Sequence, residues 1–257
     1  MNLLAAAAEA LSPKPPWYRD LCDYYGVCPA QALALGTRAP GRRPLMFGGR
    51  TFEEIWESNP RNTPEGLIQF WSDLGPWLTF RQVVRNRCLS YSEVFRDVPA
   101  HGWLGEWGCG VAPVTWWGAT HGWRHFRAFL TDVASEPFQF AEWRLRRIDQ
   151  PYIAMPVMAG KLLPLPYSRL DVVTCFEVFE HVEDPVALGS HLLNMLPSHG
   201  VLWEDFVAHD HPHAADLQSA QEKRKDLYVL LQKRCTLTRG QSPWTPGGGG
   251  RRRWLVK

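Results

Sequence analysis

The chain has 257 residues, enough for one large domain or for a domain of about 150 residues with an attached region. It carries 28 basic and 26 acidic side chains, a formal net charge of +2, and its residues are 45% hydrophobic and 21% charged. These values exclude a disordered chain and a disulfide mini-protein. The balanced charge predicts no membrane partner and argues against nucleic acid.

The cysteines predict a reducing compartment. They form no C-x-x-C pair and lie far apart, at Cys22, Cys28, Cys88, Cys109, Cys175 and Cys235. This spacing argues against a zinc site and a disulfide framework, so we expect reduced thiols in a cytoplasmic protein. The apolar segment 1–11 has no Lys or Arg ahead of it and is interrupted by Glu9, which disfavours a signal peptide.

Residues 17–99 follow helical patterns separated by caps and breaks. The predicted helices cover 17–25, 30–35, a segment opened by the capping box 51–54, a segment from Thr63-Pro64 to Gly75-Pro76, 77–87, and a segment opened by 90–93. A Pro/Gly/Arg-rich linker at 37–49 follows the first pair. Because segment 30–35 carries no charge, this pair indicates a plain helical hairpin rather than a DNA-binding helix-turn-helix.

From about residue 100, strands alternate with helices. The predicted strands are 102–107, 126–131, 153–158, 171–176 and 201–207, and the predicted helices are 114–120, 138–147, one opened by Asp184-Pro185, and 216–233. Two final strands at 235–238 and 251–256 are joined by a glycine-rich loop and predict an antiparallel hairpin. This alternation is typical of the α/β class, with a parallel sheet and helical crossovers.

A glycine loop follows the first of these strands. The segment from Glu106 to Gly110 reads E-W-G-C-G, and its glycines allow a tight turn and close approach of the backbone to a ligand. Proline at position 113 breaks the dinucleotide pattern G-x-G-x-x-G. The acid before the glycines suits a ligand with an ammonium group, and Asp132, where the second strand ends, suits the hydroxyls of a ribose.

Two further motifs follow in the same order along the chain. They are L-P-L-P at 163–166 and L-D-V-V-T-C-F-E-V-F-E-H-V-E-D-P at 170–185, with a glycine turn before the fifth strand. Over residues 100–257 this order resembles class I S-adenosylmethionine-dependent methyltransferases. The resemblance implies a seven-stranded Rossmann-like sheet with a terminal antiparallel hairpin, here preceded by a helical N-terminal region.

The resemblance also implies S-adenosyl-L-methionine as cofactor and a set of residues that hold it. Its methionine part would lie against Glu106, Gly108, Cys109 and Gly110, its ribose against Asp132, and Cys175, Phe176 and Glu177 would lie beside it. Two departures stand out. Ala112 replaces the third glycine of the loop, and segment 158–161 lacks the acid that often meets the adenine.

Histidine is the natural proton acceptor near neutral pH. His181 follows the fourth strand and His213 follows the fifth, the latter in a cluster with His209 and His211, so we take His181 and His213 as candidate catalytic residues. The alternatives are that His181 only packs or caps a helix, and that the cluster is an exposed loop or a metal site. We expect no metal, because such a run needs further convergent ligands.

The leading hypothesis is a methyltransferase that acts on a small molecule. Residues 1–98 would form a helical region that covers the acceptor, and residues 99–257 would form the methyltransferase domain. The residues proposed for this cover are Phe52, Trp56, Phe70, Trp71, Trp77, Phe80 and Arg81.

Two alternatives stay open, and the sequence says nothing of oligomeric state. The arginines at 38, 42, 43, 81, 85, 87 and 251–253 suggest an RNA methyltransferase, whereas segment 175–178 lacks the D/N-P-P-Y/F tetrad of amino-methylating nucleic-acid enzymes. The missing acid after the third strand suggests a non-catalytic module that keeps the fold and binds the cofactor.

Overall fold

The computed structural model describes residues 17–37, 52–59, 63–123, 125–157, 169–207, 216–245 and 250–257. Its helices are α1 (Trp17–Tyr25), α2 (Pro29–Thr37), α3 (Phe52–Ser58), α4 (Pro64–Asp73), α5 (Gly75–Asn86), α6 (Ser92–Phe95), α7 (Pro113–Thr120), α8 (Glu136–Arg147), α9 (Pro185–Met195) and α10 (Gln218–Arg234), with a 3-10 turn at Phe179–His181. Its strands are β1 (Trp103–Trp107), β2 (Arg127–Val133), β3 (Tyr152–Val157), β4 (Val172–Cys175), β5 (Val201–Glu204), β6 (Cys235–Arg239) and β7 (Arg252–Val256).

Within the described ranges, seven strands form one sheet in the order β3-β2-β1-β4-β5-β7-β6. The neighbours from β3 to β5 are parallel, whereas β7 is antiparallel to β5 and β6 is antiparallel to β7. The predicted α/β class and terminal hairpin are therefore confirmed. Strand β1 lies between β2 and β4, so the chain order reverses there, and in open α/β sheets ligands bind at the carboxyl ends of the strands beside such a reversal.

Helices cover both faces of the sheet. On one face, α9 and α10 bury leucines such as Leu192 and Leu227 against the sheet and Trp254. On the other face, α6, α7 and α8 pack around Phe95 and Phe138. A further core joins α1, α2 and α5 to Phe140 of α8, so the N-terminal helices extend this second face.

Two helix starts follow the predicted caps, whereas α6 begins at Ser92 without a side-chain cap bond and Thr51 lies outside the described residues. Thr63 Oγ1 accepts a hydrogen bond from the Gly66 N–H at 3.1 Å, and Asp184 Oδ1 accepts from the N–H groups of Val186 and Ala187 at 3.1 and 3.0 Å. The break at Gly75-Pro76 is also present, but α5 begins at Gly75 itself rather than at 77. Proline fits the first turn of a helix because the N–H groups there have no acceptor within the helix, so no hydrogen bond is lost.

Strand β5 ends three residues earlier than predicted, at Glu204, because this side chain turns the chain away. Glu204 Oε2 accepts from the Phe206 N–H at 3.0 Å. The same carboxylate is buried. Its Oε1 accepts hydrogen bonds from Arg252 Nε at 2.6 Å and from the Trp254 indole N–H at 2.8 Å. This ion pair joins β5 to β7 and places the start of β7 at the carboxyl edge of the parallel strands.

No helix in the described part of the chain is long and apolar enough to cross a membrane.

Replacing Glu204 by Gln is expected to lower the free energy of unfolding by about 3–5 kcal/mol, because it leaves the Arg252 guanidinium buried without its counter-charge. Urea denaturation followed by tryptophan fluorescence measures the loss. The matched control is Asp23→Asn. Asp23 pairs with Arg147 at 2.8 Å with both side chains more than 40% exposed, and such pairs contribute less than about 1 kcal/mol. Equal losses in the two variants would contradict a structural role for the buried pair.

Candidate active site

The strand register brings the predicted site residues to one edge of the sheet. Trp107, the last residue of β1, lies opposite Thr131 of β2 and Cys175 of β4. The residues that follow these strand positions therefore meet. They are the loop 108–112, Asp132 with Val133, and the segment 176–178.

Glu106 is buried at the end of β1 and caps the first turn of α7. Its carboxylate accepts from the N–H groups of Val114 and Thr115 at 3.0 and 2.9 Å, and from Thr115 Oγ1 at 2.6 Å. Burial raises the pKa of Glu106, while the bonds from Thr115 and Val114 act in the opposite direction. The sequence placed this residue beside the methionine part of the cofactor, and the structure adds a helix-capping role to it.

The loop after Glu106 is held in left-handed backbone conformations. Gly108, Gly110 and Ala112 have φ angles of +63°, +49° and +47°. A Cβ on Gly108 would lie 2.2 Å from Val178 Cγ2, and a Cβ on Gly110 would lie 2.3 Å from Gln82 Oε1. Glycine is therefore favoured at both positions, because another residue would be strained in this conformation and would clash with Val178 at position 108 or displace the end of the Gln82 side chain at position 110. Ala112, which replaces the usual third glycine, carries a conformational cost of about 1–2 kcal/mol.

Asp132 connects this loop to β2. Its Oδ2 accepts a short hydrogen bond from the Gly110 N–H, and its Oδ1 accepts from the Val133 N–H at 2.6 Å. Burial raises the pKa of Asp132 to about 6, against the lowering effect of these two bonds. Each carboxylate oxygen keeps a second lone pair, so Asp132 can also accept both hydroxyls of a ribose.

Two adjoining cavities open along this edge. The first cavity encloses about 260 Å³ and is defined here by Trp71, Gly110, Asp132, Val157, His181 and Leu188. The second cavity encloses about 160 Å³ and is defined by Tyr91, Glu106, Phe176, Glu177, Asp205 and Arg251. The two cavities adjoin, because both are lined by Gln82, Trp107, Gly108 and Glu177, and we refer to them together as the cleft.

Charged side chains concentrate around the second cavity. Arg85 donates two hydrogen bonds to Glu177, at 2.8 and 3.0 Å. Glu177 has a φ of +55°, and its N–H donates to Asp205 Oδ1 at 2.6 Å. The Arg251 guanidinium lies 4.2 Å from the ring centre of Tyr91 and 5.0 Å from that of Phe176.

The sequence interpretation missed Asp205 and Tyr91 of this second group, and it named Arg85 and Arg251 only as arginines that suggest RNA. Asp205 directly follows β5, so its position at a strand end could have revealed it. Arg85 and Tyr91 reach the site from the N-terminal region, and no local pattern marks them.

Of the two histidines predicted to be catalytic, His181 lies in the described part of the chain and His213 does not. His181 lies in the 3-10 turn, where it lines the first cavity with its ring 5.2 Å from that of Trp71. His213, with the rest of its cluster, and segment 158–161 lie outside the described residues. In the described ranges, no three His, Cys, Asp or Glu side chains are arranged to hold a metal ion.

Cys109 and Cys175 are buried beside the loop and in β4. Burial raises the pKa of both thiols well above the ordinary value, so both are neutral near pH 7 and neither is activated as a nucleophile.

The helices proposed as a cover supply part of the cavity wall. Trp71 lines the first cavity, whereas Phe70, Trp77 and Phe80 are buried between the helices. Arg81 lies over the Trp77 ring, and the side chains of residues 52 and 56 are outside the described set. The wall is completed by Leu67, Ile68, Leu78 and Gln82, which the sequence interpretation missed.

Comparisons with known proteins agree with this architecture. Residues 106–203 match the model of a family described as a methyltransferase domain. No curated protein sequence matches the chain. The fold is similar to that of a SAM-dependent methyltransferase from Aquifex aeolicus (11% identity, 76% of this chain and 98% of that chain, TM-score 0.51). It is also similar to that of a SAM-dependent methyltransferase from Leishmania major (13% identity, 81% and 92%, TM-score 0.53).

Replacing Gly110 by Ala is expected to weaken S-adenosylhomocysteine binding by about tenfold or more, equivalent to about 1.4 kcal/mol. The new Cβ would displace Gln82, whose Oε1 accepts from the Val111 N–H at 3.1 Å. Gly26→Ala is the matched control, because Gly26 has a similar φ of +66° and no atom lies within 4 Å of an added Cβ. Isothermal titration calorimetry compares the two variants. If both bind as the parent does, close packing at Gly110 is not needed for binding.

Proposed function

We propose that this chain, whose residues 106–203 match a methyltransferase-domain family, is a class I S-adenosylmethionine-dependent methyltransferase that transfers a methyl group to a small-molecule acceptor. Its cofactor is S-adenosyl-L-methionine. The observation that carries the proposal is the cleft at the carboxyl edge of the sheet. The floor of this cleft is the loop 108–110 with Asp132, and helices α4 and α5 supply its roof.

The residues present fit the cofactor. Asp132 has acceptor capacity for the ribose hydroxyls, and the first cavity offers apolar side chains such as Val133, Val157 and Leu188 to a purine ring. The loop 108–110 and Glu106 would hold the methionine part, with segment 175–177 beside the cofactor, and the acceptor would occupy the remainder of the second cavity. When bound, the cofactor supplies a methyl group activated by a sulfonium, and the protein must align the acceptor and exclude water.

The size of the second cavity supports a small acceptor. A cavity of about 150 Å³ holds a molecule of the size of benzene, and the second cavity encloses about 160 Å³. Several of the arginines that suggested RNA form ion pairs within the chain. Arg85 pairs with Glu177, Arg252 with Glu204 and Arg253 with Asp97.

The division at residue 98 and the role of the N-terminal region belong to this proposal. Helix α5 packs against α8, and Gln82 of α5 reaches the loop at Val111. We therefore assign to the N-terminal helices the role of covering the cleft, and we regard these helices as part of the domain core. The contact of His181 with Trp71 supports a role for this histidine in holding α4 in place, beside its candidate role as proton acceptor.

The cysteines support a cytoplasmic location. All six are free thiols, which is the state expected in a reducing compartment.

Binding of S-adenosylhomocysteine is expected to weaken as the pH falls through about 6. The raised pKa of Asp132 means that its carboxylate is ionised above this pH and becomes protonated below it, and a neutral carboxyl group accepts hydroxyl hydrogen bonds less strongly. Calorimetry at pH 7.5 and 5 should show about a tenfold loss of affinity, and Asp132→Asn should bind weakly at both. If millimolar S-adenosylhomocysteine does not bind at pH 7.5, the cofactor assignment is wrong.

Methyl-labelled S-adenosylmethionine tests the acceptor class. Incubation of the protein with a cell extract should place label in the low-molecular-weight fraction, because the second cavity is small. Asp132→Asn serves as the low-activity control. Label recovered mainly in RNA or in protein would contradict the small-molecule proposal.

A further inference from the structure

Asp205 occupies a distinct position on the carboxyl edge. The loop and Asp132 belong to β1 and β2, whereas Asp205 follows β5, on the far side of β4. Neighbouring strands lie about 4.8 Å apart. Asp205 is therefore separated from the ribose side by the width of two intervening strands, and it lines the second cavity.

One oxygen of Asp205 has a structural partner. Oδ1 accepts from the Glu177 N–H at 2.6 Å. Among the described residues, this N–H is its only hydrogen-bond donor, and no Lys or Arg forms an ion pair with it. The carboxyl group is therefore held in place by one bond, while its other oxygen has no donor among the described residues that line the cavity.

Burial and the surrounding charges together set the protonation of Asp205. Burial raises the pKa of Asp205 to about 8, and the neighbouring acids Glu177, Glu180 and Glu204 contribute in the same direction. Arg85, Tyr91 and Cys175 are also electrostatically coupled to Asp205. Arg85 is paired with Glu177, and Arg251 lies against the Tyr91 and Phe176 rings. A proton acceptor works best when its pKa lies near the operating pH.

We propose that Asp205 is the catalytic residue that receives the proton of a neutral hydroxyl or amine acceptor bound in the second cavity. This inference rests on the proposed methyl transfer. The acceptor's oxygen or nitrogen bonds to the methyl carbon while the carbon–sulfur bond breaks. The electrons of that bond stay on sulfur, which becomes a neutral thioether. The acceptor's proton passes to the Asp205 carboxylate, which becomes a neutral carboxyl group.

The test uses sinefungin, a cofactor analogue with an amine-bearing carbon in place of the methyl-bearing sulfonium. Its ammonium group would pair with a carboxylate that faces the point of transfer. Calorimetry on the full-length protein at pH 8 gives the affinities of sinefungin and S-adenosylhomocysteine. The intact protein is expected to prefer sinefungin, and Asp205→Asn should lose about tenfold of that preference while its affinity for S-adenosylhomocysteine changes by less than about twofold.

The pH dependence gives a second readout. The preference for sinefungin in the intact protein should grow between pH 6.5 and 8, as Asp205 becomes ionised, and Asp205→Asn should show no such growth. Asp226→Asn is the control for the change of charge, because Asp226 is exposed on α10. It should behave as the parent does.

Asparagine keeps an oxygen that can accept from the Glu177 N–H, so a purely structural role for Asp205 predicts an unchanged preference for sinefungin. That result would overturn the proposal. An equal loss of both affinities would place Asp205 in the cofactor site and would also overturn it. Failure of the intact protein to bind either ligand would instead refute the proposed function.

Discussion

Three hydrogen bonds connect the Glu106 carboxylate, at the end of β1, to the first turn of α7, and the rest of the site depends on them. They compensate for the burial of an acidic group and fix the distance between the end of β1 and the start of a helix. Loop 108–112 must cross this distance, and it does so in left-handed conformations. Asp132 then ties the loop to β2. The shape of both cavities depends on where these contacts place the loop.

The roof of the cleft is part of the domain core. Gln82 of α5 contacts the loop at Val111, and the same helix packs against Phe140 of α8. A displacement of α5 would therefore move a wall shared by the two cavities. This arrangement couples helix α5 to the loop after β1, because the Gln82 side chain both lines the two cavities and bonds to Val111.

Burial organises the electrostatics of the site. It raises the pKa of Asp132 to about 6 and the pKa values of Glu180 and Asp205 to about 8. The carboxyl ends of parallel strands meet at one edge of the sheet, so acidic residues from different strands gather there and disfavour each other's ionised forms. Arg85 offsets part of this charge through its ion pair with Glu177.

The sequence by itself determined the alternation of strands and helices, the helix caps at Thr63 and Asp184, and the placement of the E-W-G-C-G loop and Asp132 after two strands. Each of these follows from periodicity or from groups a few residues apart. Only the tertiary structure decided that Gln82 faces Gly110, that Glu204 pairs with Arg252, and that Asp205 shares a cavity with Tyr91 and Arg251. These groups are between 28 and 160 residues apart in the chain. Their contacts arise from strand order and helix packing, which local residue patterns do not encode.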